Sequence, residues 1–251
     1  MRKLWSVLFC VLLNVFPMAA QALETVTLET NLGSIQIELL SDDAPKTVEN
    51  FLNYVNRGDF DGTFFHRRPT PLFVLQGGGF SFDAVSGQAI AVETDPPVVN
   101  EFSVSNTRGT IAMAKPGNDP NGATSQWFIN IVDNTFLDTS NDGFTVFGRV
   151  IGDGMDVVDA IAAIPTTNLG GGGIFADTPT INYAGIVTAD TFVTITSASL
   201  DTEEPIPAAF TIDTSATAPI TGLWWGGEIE SGWGMTLTQQ TDIMFATIFT
   251  Y

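Results

Sequence analysis

The chain has 251 residues, with 28 Asp and Glu against nine Lys and Arg, a formal net charge of −19, one His and one Cys. A field of that sign repels nucleic acid and anionic membranes, and a lone cysteine and a lone histidine leave no basis for an intrachain disulfide, a Cys-containing metal site or a multi-His centre. The 44% hydrophobic content builds a substantial core, and the length suits one domain of ordinary size plus an extra piece.

Met1-Arg2-Lys3, an apolar run from Leu4 to Met18, and small residues at Ala20 and Ala22 read as a secretory signal peptide, residues 1–22, cleaved after Ala22. Asn14 and Pro17 interrupt the run, which is shorter than the ~20 residues of a spanning helix. The product is expected to be exported, periplasmic or secreted, with no membrane span. Cleavage removes Arg2, Lys3 and Cys10, so seven cations face 28 acids, a net charge of −21.

Alternation in Val26 to Thr30 and again in Ile35 to Leu39, around a turn at Asn31-Leu32-Gly33, predicts a hairpin with one wet face. A helix follows, with N-cap oxygens from Ser41, Asp42 or Asp43, Pro45 in its first turn, an apolar stripe of Val48, Phe51, Leu52 and Val55, and a stop at Gly58. From Phe60 to Gly148, short apolar runs broken by Gly, Pro, Asn and Asp predict an all-β sandwich or barrel. A second helix is expected over about 155–164, ended by Pro165, then a flexible glycine loop at Gly170 to Gly173 and a last strand at 192–196. The main domain, residues 23–200, closes there. Residues 201–209 have linker composition, and 210–251 form a Trp/Gly-rich partial β module resembling one at the C-termini of secreted bacterial proteins.

Arg67 and Gln76 stand in a stretch of apolar residues and glycines, where a permanently charged five-donor side chain is an unusual choice. Taken alone, Arg67 reads more readily as a structural Arg paired with a carboxylate than as a functional one. The surrounding blocks carry more information: Phe64-Phe65-His66-Arg67, Gln76-Gly77-Gly78-Gly79-Phe80, Arg108 to Lys115, Ala123-Thr124-Ser125-Gln126-Trp127-Phe128-Ile129-Asn130, Asp133 to Asp138, and Phe144 to Val150. In this order and spacing they resemble the cyclophilin family of peptidyl-prolyl cis/trans isomerases, in particular its exported bacterial branch.

The resemblance implies a mainly β fold, a closed eight-stranded antiparallel β-barrel capped by two α-helices, and a reaction that needs neither cofactor nor metal. It implies catalytic roles for Arg67, as donor to the prolyl nitrogen, and Gln76. Phe73, Val74, Phe128 and Leu137 would line a proline slot, with Phe136 beside it and Phe144 on its rim. Backbone groups of Ala114 and Lys115, with Gln126, would line the substrate groove, and His66 would be a supporting hydrogen-bonder. The partners implied are proline-containing polypeptides met by a monomer. Three departures stand out: the Arg67–Phe73 loop is one residue longer and carries Arg68 where relatives have an aliphatic residue, Val74 replaces a commoner Met, and Phe136 occupies the place of a eukaryotic Trp. The last implies weak cyclosporin binding. A non-catalytic proline-peptide binding module and a secreted surface-interaction protein are the alternatives.

Other motifs fall short of chemistry. Asp138-Thr139-Ser140-Asn141-Asp142-Gly143 matches the start of a calcium loop, but Arg149 stands where the closing Glu belongs. Neither glycine run is followed by Lys-Ser/Thr, and no Gly-x-Ser-x-Gly elbow occurs.

Overall fold

The computed structural model describes residues 24–69, 73–170 and 173–201, and the backbone of three strands farther along the chain. The predicted leader, and the predicted linker beyond Asp201, lie outside these residues. Contacts divide the chain into two units between Glu203 and Glu204.

In the first unit, β1 (Thr25–Thr30) and β2 (Gly33–Leu39) form the anticipated hairpin. Its register sets Val26 opposite Ile37 and Leu28 opposite Ile35, all four fully buried, so the pleat sends every second side chain into the core. Helix α1 (Pro45–Arg57) buries Val48, Phe51, Tyr54 and Val55, and Gly58 ends it at φ 73°, a left-handed turn that glycine adopts without strain. Its N-terminus corrects the sequence reading. Ala44 is the N-cap, and none of Ser41, Asp42 and Asp43 caps the helix. The Glu101 carboxylate, from a distant loop, accepts from the Thr47 N–H at 2.8 Å and the Lys46 N–H at 3.3 Å. A full negative charge there answers both the free donors and the helix dipole.

Next come β3 (Val74–Gly77), β4 (Phe80–Asp83), β5 (Gln88–Ala91), β6 (Thr110–Met113), β7 (Trp127–Asn130) and β8 (Val146–Ile151), with 3₁₀ turns at Thr135–Asp138 and Ser140–Asp142 between the last two. Helix α2 (Gly154–Ala162) ends earlier than the predicted 155–164, because Ile164 bonds back three residues to Ile161 as the chain approaches Pro165. A two-residue pair, β9 (Thr166–Thr167) with β10 (Thr178–Pro179), precedes β11 (Ile195–Asp201). The last strand thus lies later than 192–196, since Val193 and Thr194 bond to the 31 and 65 regions, and regular pairing with β1 starts at Ile195.

Seven strands make one antiparallel sheet in the order β11-β1-β2-β8-β6-β7-β3, curled into a half-barrel with two helices. The expected closed eight-stranded barrel is not seen as such. Between the outermost strands, residues 63–67 form isolated bridges, Phe64 with Thr194 and Arg67 with Gln76. The second unit contains β12 (Gly222–Trp225), β13 (Trp233–Gln240) and β14 (Ile243–Thr250), an antiparallel meander with Trp224 opposite Met235 and Trp233 opposite Thr250.

The pleat of β3, β6 and β7 places the site. Leu75, Ile111, Met113, Trp127 and Ile129 enter the main core on one face. Val74, Gln76, Ala112 and Phe128 belong to the opposite face, where Val74, Ala112, Phe128, Leu137 and Val146 form a second, smaller apolar cluster. One set of strands therefore carries the folding core on one side and a shallow apolar site on the other.

Candidate active site

Arg67 and Gln76 are brought together by backbone as well as side chain. The Gln76 N–H donates to the Arg67 carbonyl at 2.9 Å, and the His66 N–H to the Gln76 carbonyl at 3.1 Å. This antiparallel bridge sets the two side chains abreast, and Arg67 Nη1 donates to Gln76 Oε1 at 3.3 Å. The other end of the Gln76 amide is committed too: Nε2 donates to Gln126 Oε1 at 2.8 Å. An amide flanked on both sides cannot rotate freely, so the guanidinium is held by a neutral, fixed acceptor.

Three glycines make that approach possible. A Cβ at Gly77 would stand 2.9 Å from Trp127 Cη2, one at Gly78 would stand 2.7 Å from the Ser125 carbonyl, and one at Gly79 would stand 2.9 Å from the Gln126 side chain. The run Gly77-Gly78-Gly79 is thus a close-packing surface for Ser125, Gln126 and Trp127, where the chain enters β7.

Beside this pair lies the apolar cluster. Val74, Phe128 and Leu137 are 5–7% exposed, and Phe144 and Ala114 pack against it partly buried. Phe128 is opposite Gln76 in the β3–β7 register and meets Phe144 edge-on, ring centroids 5.8 Å apart. Phe73 and Phe136 stand apart from it in burial, 43% and 50% exposed. The Ala114 N–H is already donated to the Gln126 carbonyl at 2.9 Å. The Lys115 ammonium reaches the carbonyls of Pro120, Asn141 and Gly143 instead of open solvent.

His66, 1% exposed, packs edge-on against Phe80 with centroids 5.1 Å apart, and its Nδ1 has no hydrogen-bond partner among the described residues. Burial, reinforced by the adjacent Arg67 charge, pushes its pKa down to about 4. The imidazole is therefore neutral at neutral pH.

The family described as cyclophilin type peptidyl-prolyl cis-trans isomerase/CLD matches residues 25–189. The chain belongs to that family. Among curated proteins, the peptidyl-prolyl cis-trans isomerase of Acinetobacter baylyi is 48% identical over 149 residues, 58% of this chain and 75% of that one. Isomerase B of Escherichia coli is 44% identical over 161 residues, covering 61% and 92% of the two chains, and isomerase A of Dickeya dadantii is 44% identical over 156 residues, covering 61% and 78%. The fold is shared with a Cryptosporidium parvum cyclophilin type isomerase at a TM-score of 0.53 and 22% identity, over 72% of this chain and 98% of that chain.

In this cyclophilin-type peptidyl-prolyl cis-trans isomerase the Phe73 N–H donates to the Pro69 carbonyl at 3.2 Å, and Arg68 is tied through its N–H to the Asp177 carbonyl at 2.8 Å. Phe73 itself takes φ 47°, left-handed for a bulky residue. Its carbonyl accepts from the Ile131 N–H at 3.0 Å and from Asn134 Nδ2 at 3.4 Å. Asn134 leads into a buried chain that sequence reasoning missed. It donates to Asn130 Oδ1 at 2.9 Å, Asn130 donates to Thr110 at 2.9 Å and to Asn106 at 3.3 Å, and Asn106 donates through its side chain to Asp138 at 3.0 Å. Burial acts to raise the Asp138 pKa, but bonds from Ser105 and Asn106 outweigh it and hold the carboxyl below its usual range. No sequence signal isolates these residues, because Asn and Asp scattered singly read as turn formers.

Proposed function

We propose that this isomerase acts on exported polypeptides and accelerates X–Pro rotation through Arg67, with the apolar cluster of Val74, Phe128 and Leu137, bordered by Phe73, Phe136 and Phe144, gripping the proline ring. Amide rotation faces a barrier of ~18–20 kcal/mol because resonance is lost at the midpoint. At that point the prolyl nitrogen regains a lone pair, and a fixed cation donating to it stabilises the twisted state more than either planar one. Arg suits the task, since it stays protonated and its donors are rigidly arranged.

The observation that carries this reading is the Arg67–Gln76–Gln126 chain, 3.3 Å and 2.8 Å, at the border of the apolar cluster. It gives the guanidinium one orientation while leaving the remaining donors for substrate. Gln126 and the Ala114–Lys115 backbone would line the path of an extended peptide, and His66 supports from behind as a neutral, buried ring. Client selection in an exported compartment rests on the leader at residues 1–22 and on a mature charge of −21.

The purified chain is expected to accelerate cis/trans exchange of a Pro-containing peptide, measured by NMR, and Arg67→Ala to lose roughly 100-fold of that rate, the scale of one transition-state donor. Equal rates for wild type and Arg67→Ala would overturn the mechanism. Peptide binding without exchange enhancement would mark a docking module. Processing after Ala22, read by N-terminal sequencing of the exported product, tests the compartment, and an unprocessed chain would refute it.

A further inference from the structure

The calcium-loop look-alike at Asp138 to Gly143 does hold a cation, one supplied by the chain. Asn141, Asp142 and Gly143 take φ of 50°, 60° and 79°, three successive left-handed residues of which two are not glycine. That conformation is strained for Asn and Asp, and it turns two loop carbonyls onto one point. Lys115 Nζ donates there to the Asn141 carbonyl at 2.9 Å and to that of Gly143, and its third donor goes to the Pro120 carbonyl at 3.2 Å. All three ammonium donors are thus spent on backbone. Asn100 Nδ2 adds bonds to the Asp142 and Gly143 carbonyls at 2.7 and 3.2 Å.

The same ammonium lies 4.9 Å from the centroid of Phe144, whose ring meets Phe128 edge-on in the apolar cluster. A cation held over an aromatic face favours one placement of the ring. Phe144 follows Gly143 directly, so the caged loop and the stacked ring form one unit with Lys115 at its centre. Burial lowers the Lys115 pKa, while Asp142 and Asp119 oppose that shift.

We propose that the Lys115 side chain is a positioning residue of the proline slot: it locks the 141–143 loop and the Phe144 rim, and it does not touch substrate. The inference rests on the slot assignment above and deepens it. A positioning role has a signature. Lys115→Met, which keeps the stem and removes the charge, is expected to raise KM about fivefold, the scale of a part-buried cation–aromatic contact plus its hydrogen bonds. The change should leave kcat within about twofold, be the same for peptides with acidic, neutral or basic residues beside proline, and be largely reversed in Lys115→Arg.

The test is kinetic analysis of the full chain and both variants on such a peptide series, with Phe144→Leu and the Lys115→Met/Phe144→Leu double variant completing a cycle. Non-additive KM effects in the cycle support the proposal. An unchanged KM in Lys115→Met, or a loss confined to acidic peptides, overturns it. Should Lys115→Met not fold, Phe144→Leu alone carries the test, since it spares the carbonyl cage, and an unchanged KM there overturns it as well. A wild-type chain without exchange activity would sink the slot assignment and this inference together, whereas an active wild type with an indifferent Lys115→Met sinks the inference alone.

Discussion

His66 makes the fold acid-sensitive in a window set by its burial. In the unfolded chain it titrates near 6.5, whereas in the native chain it does so at about 4. Protonation would place a charge in a buried site next to Arg67, which outweighs the opposing effect of the Gln126 side chain and the Phe64 backbone. Between these values the unfolded state binds the extra proton and the native state does not. Stability is therefore complete above 6.5, falls as the pH drops toward 4, and loses nothing more from this residue below that. The shift corresponds to about 3 kcal/mol, a large part of the 5–15 kcal/mol that holds a domain together. Urea melts of the purified chain at pH 7, 6, 5 and 4 measure it, with His66→Asn as reference to subtract the carboxylates. The wild-type loss over this range should exceed that of His66→Asn by about 3 kcal/mol, with m unchanged. Parallel curves for the two proteins would show that His66 is not held neutral by the fold and would refute the reasoning.

Three other changes separate the site from its scaffold. Gln126→Ala removes the acceptor of Gln76 Nε2 and should lower kcat/KM roughly tenfold at nearly unchanged Tm, as read by peptide exchange and a thermal melt. In Gly78→Ala a Cβ would meet Trp127 and the Ser125 carbonyl at a φ of 73°, so a destabilisation of about 1–3 kcal/mol in denaturant melts is expected. Glu101→Ala removes the acceptor of the first α1 donors and should cost about 1–2 kcal/mol by the same melts, with peptide exchange unaltered at temperatures where the variant is folded.

Periodicity made the scaffold legible. The β1–β2 hairpin and the α1 stripe follow from a two-residue and a 3.6-residue repeat acting over short distances. The sequence reading erred where long-range partners override local signals. Glu101 caps α1 from a loop far along the chain, so the nearby Ser41, Asp42 and Asp43 are not needed. Val193 and Thr194 have strand composition but bond outside the regular ladder, which moves β11 onward. At the site, Arg67, Gln76 and Gln126 could be named because their motif blocks resemble those of relatives. The Asn106–Asn130–Asn134 chain and the Lys115 cage could not, since each is assembled from single residues on separate elements and shows no spacing until the chain folds.

The excess of acid raises a question that only the pairing pattern answers: how one arginine keeps an available charge among so many carboxylates. Arg57 is bound to Asp59 and Asp95, Arg108 to Asp159, and Arg149 to Glu38, each at 3.0 Å or less. Among the described residues Arg67 forms no such ion pair, and the atom that orients it belongs to a neutral amide. A neutral acceptor fixes direction without cancelling the field, which is what donation to a developing lone pair requires. Gln76→Glu tests this distinction, since it keeps the acceptor while adding a charge 3.3 Å from Nη1. It also removes the Nε2 donor to Gln126, so Gln126→Ala, which breaks the same bond without adding charge, is its reference. The carboxylate should hold Arg67 more tightly and still lower kcat by roughly tenfold, because the guanidinium would then satisfy a full anion in both planar and twisted states. Melting temperature should not fall. If Gln76→Glu kept its kcat, orientation alone would suffice, and the neutrality of the partner would have no part in the mechanism.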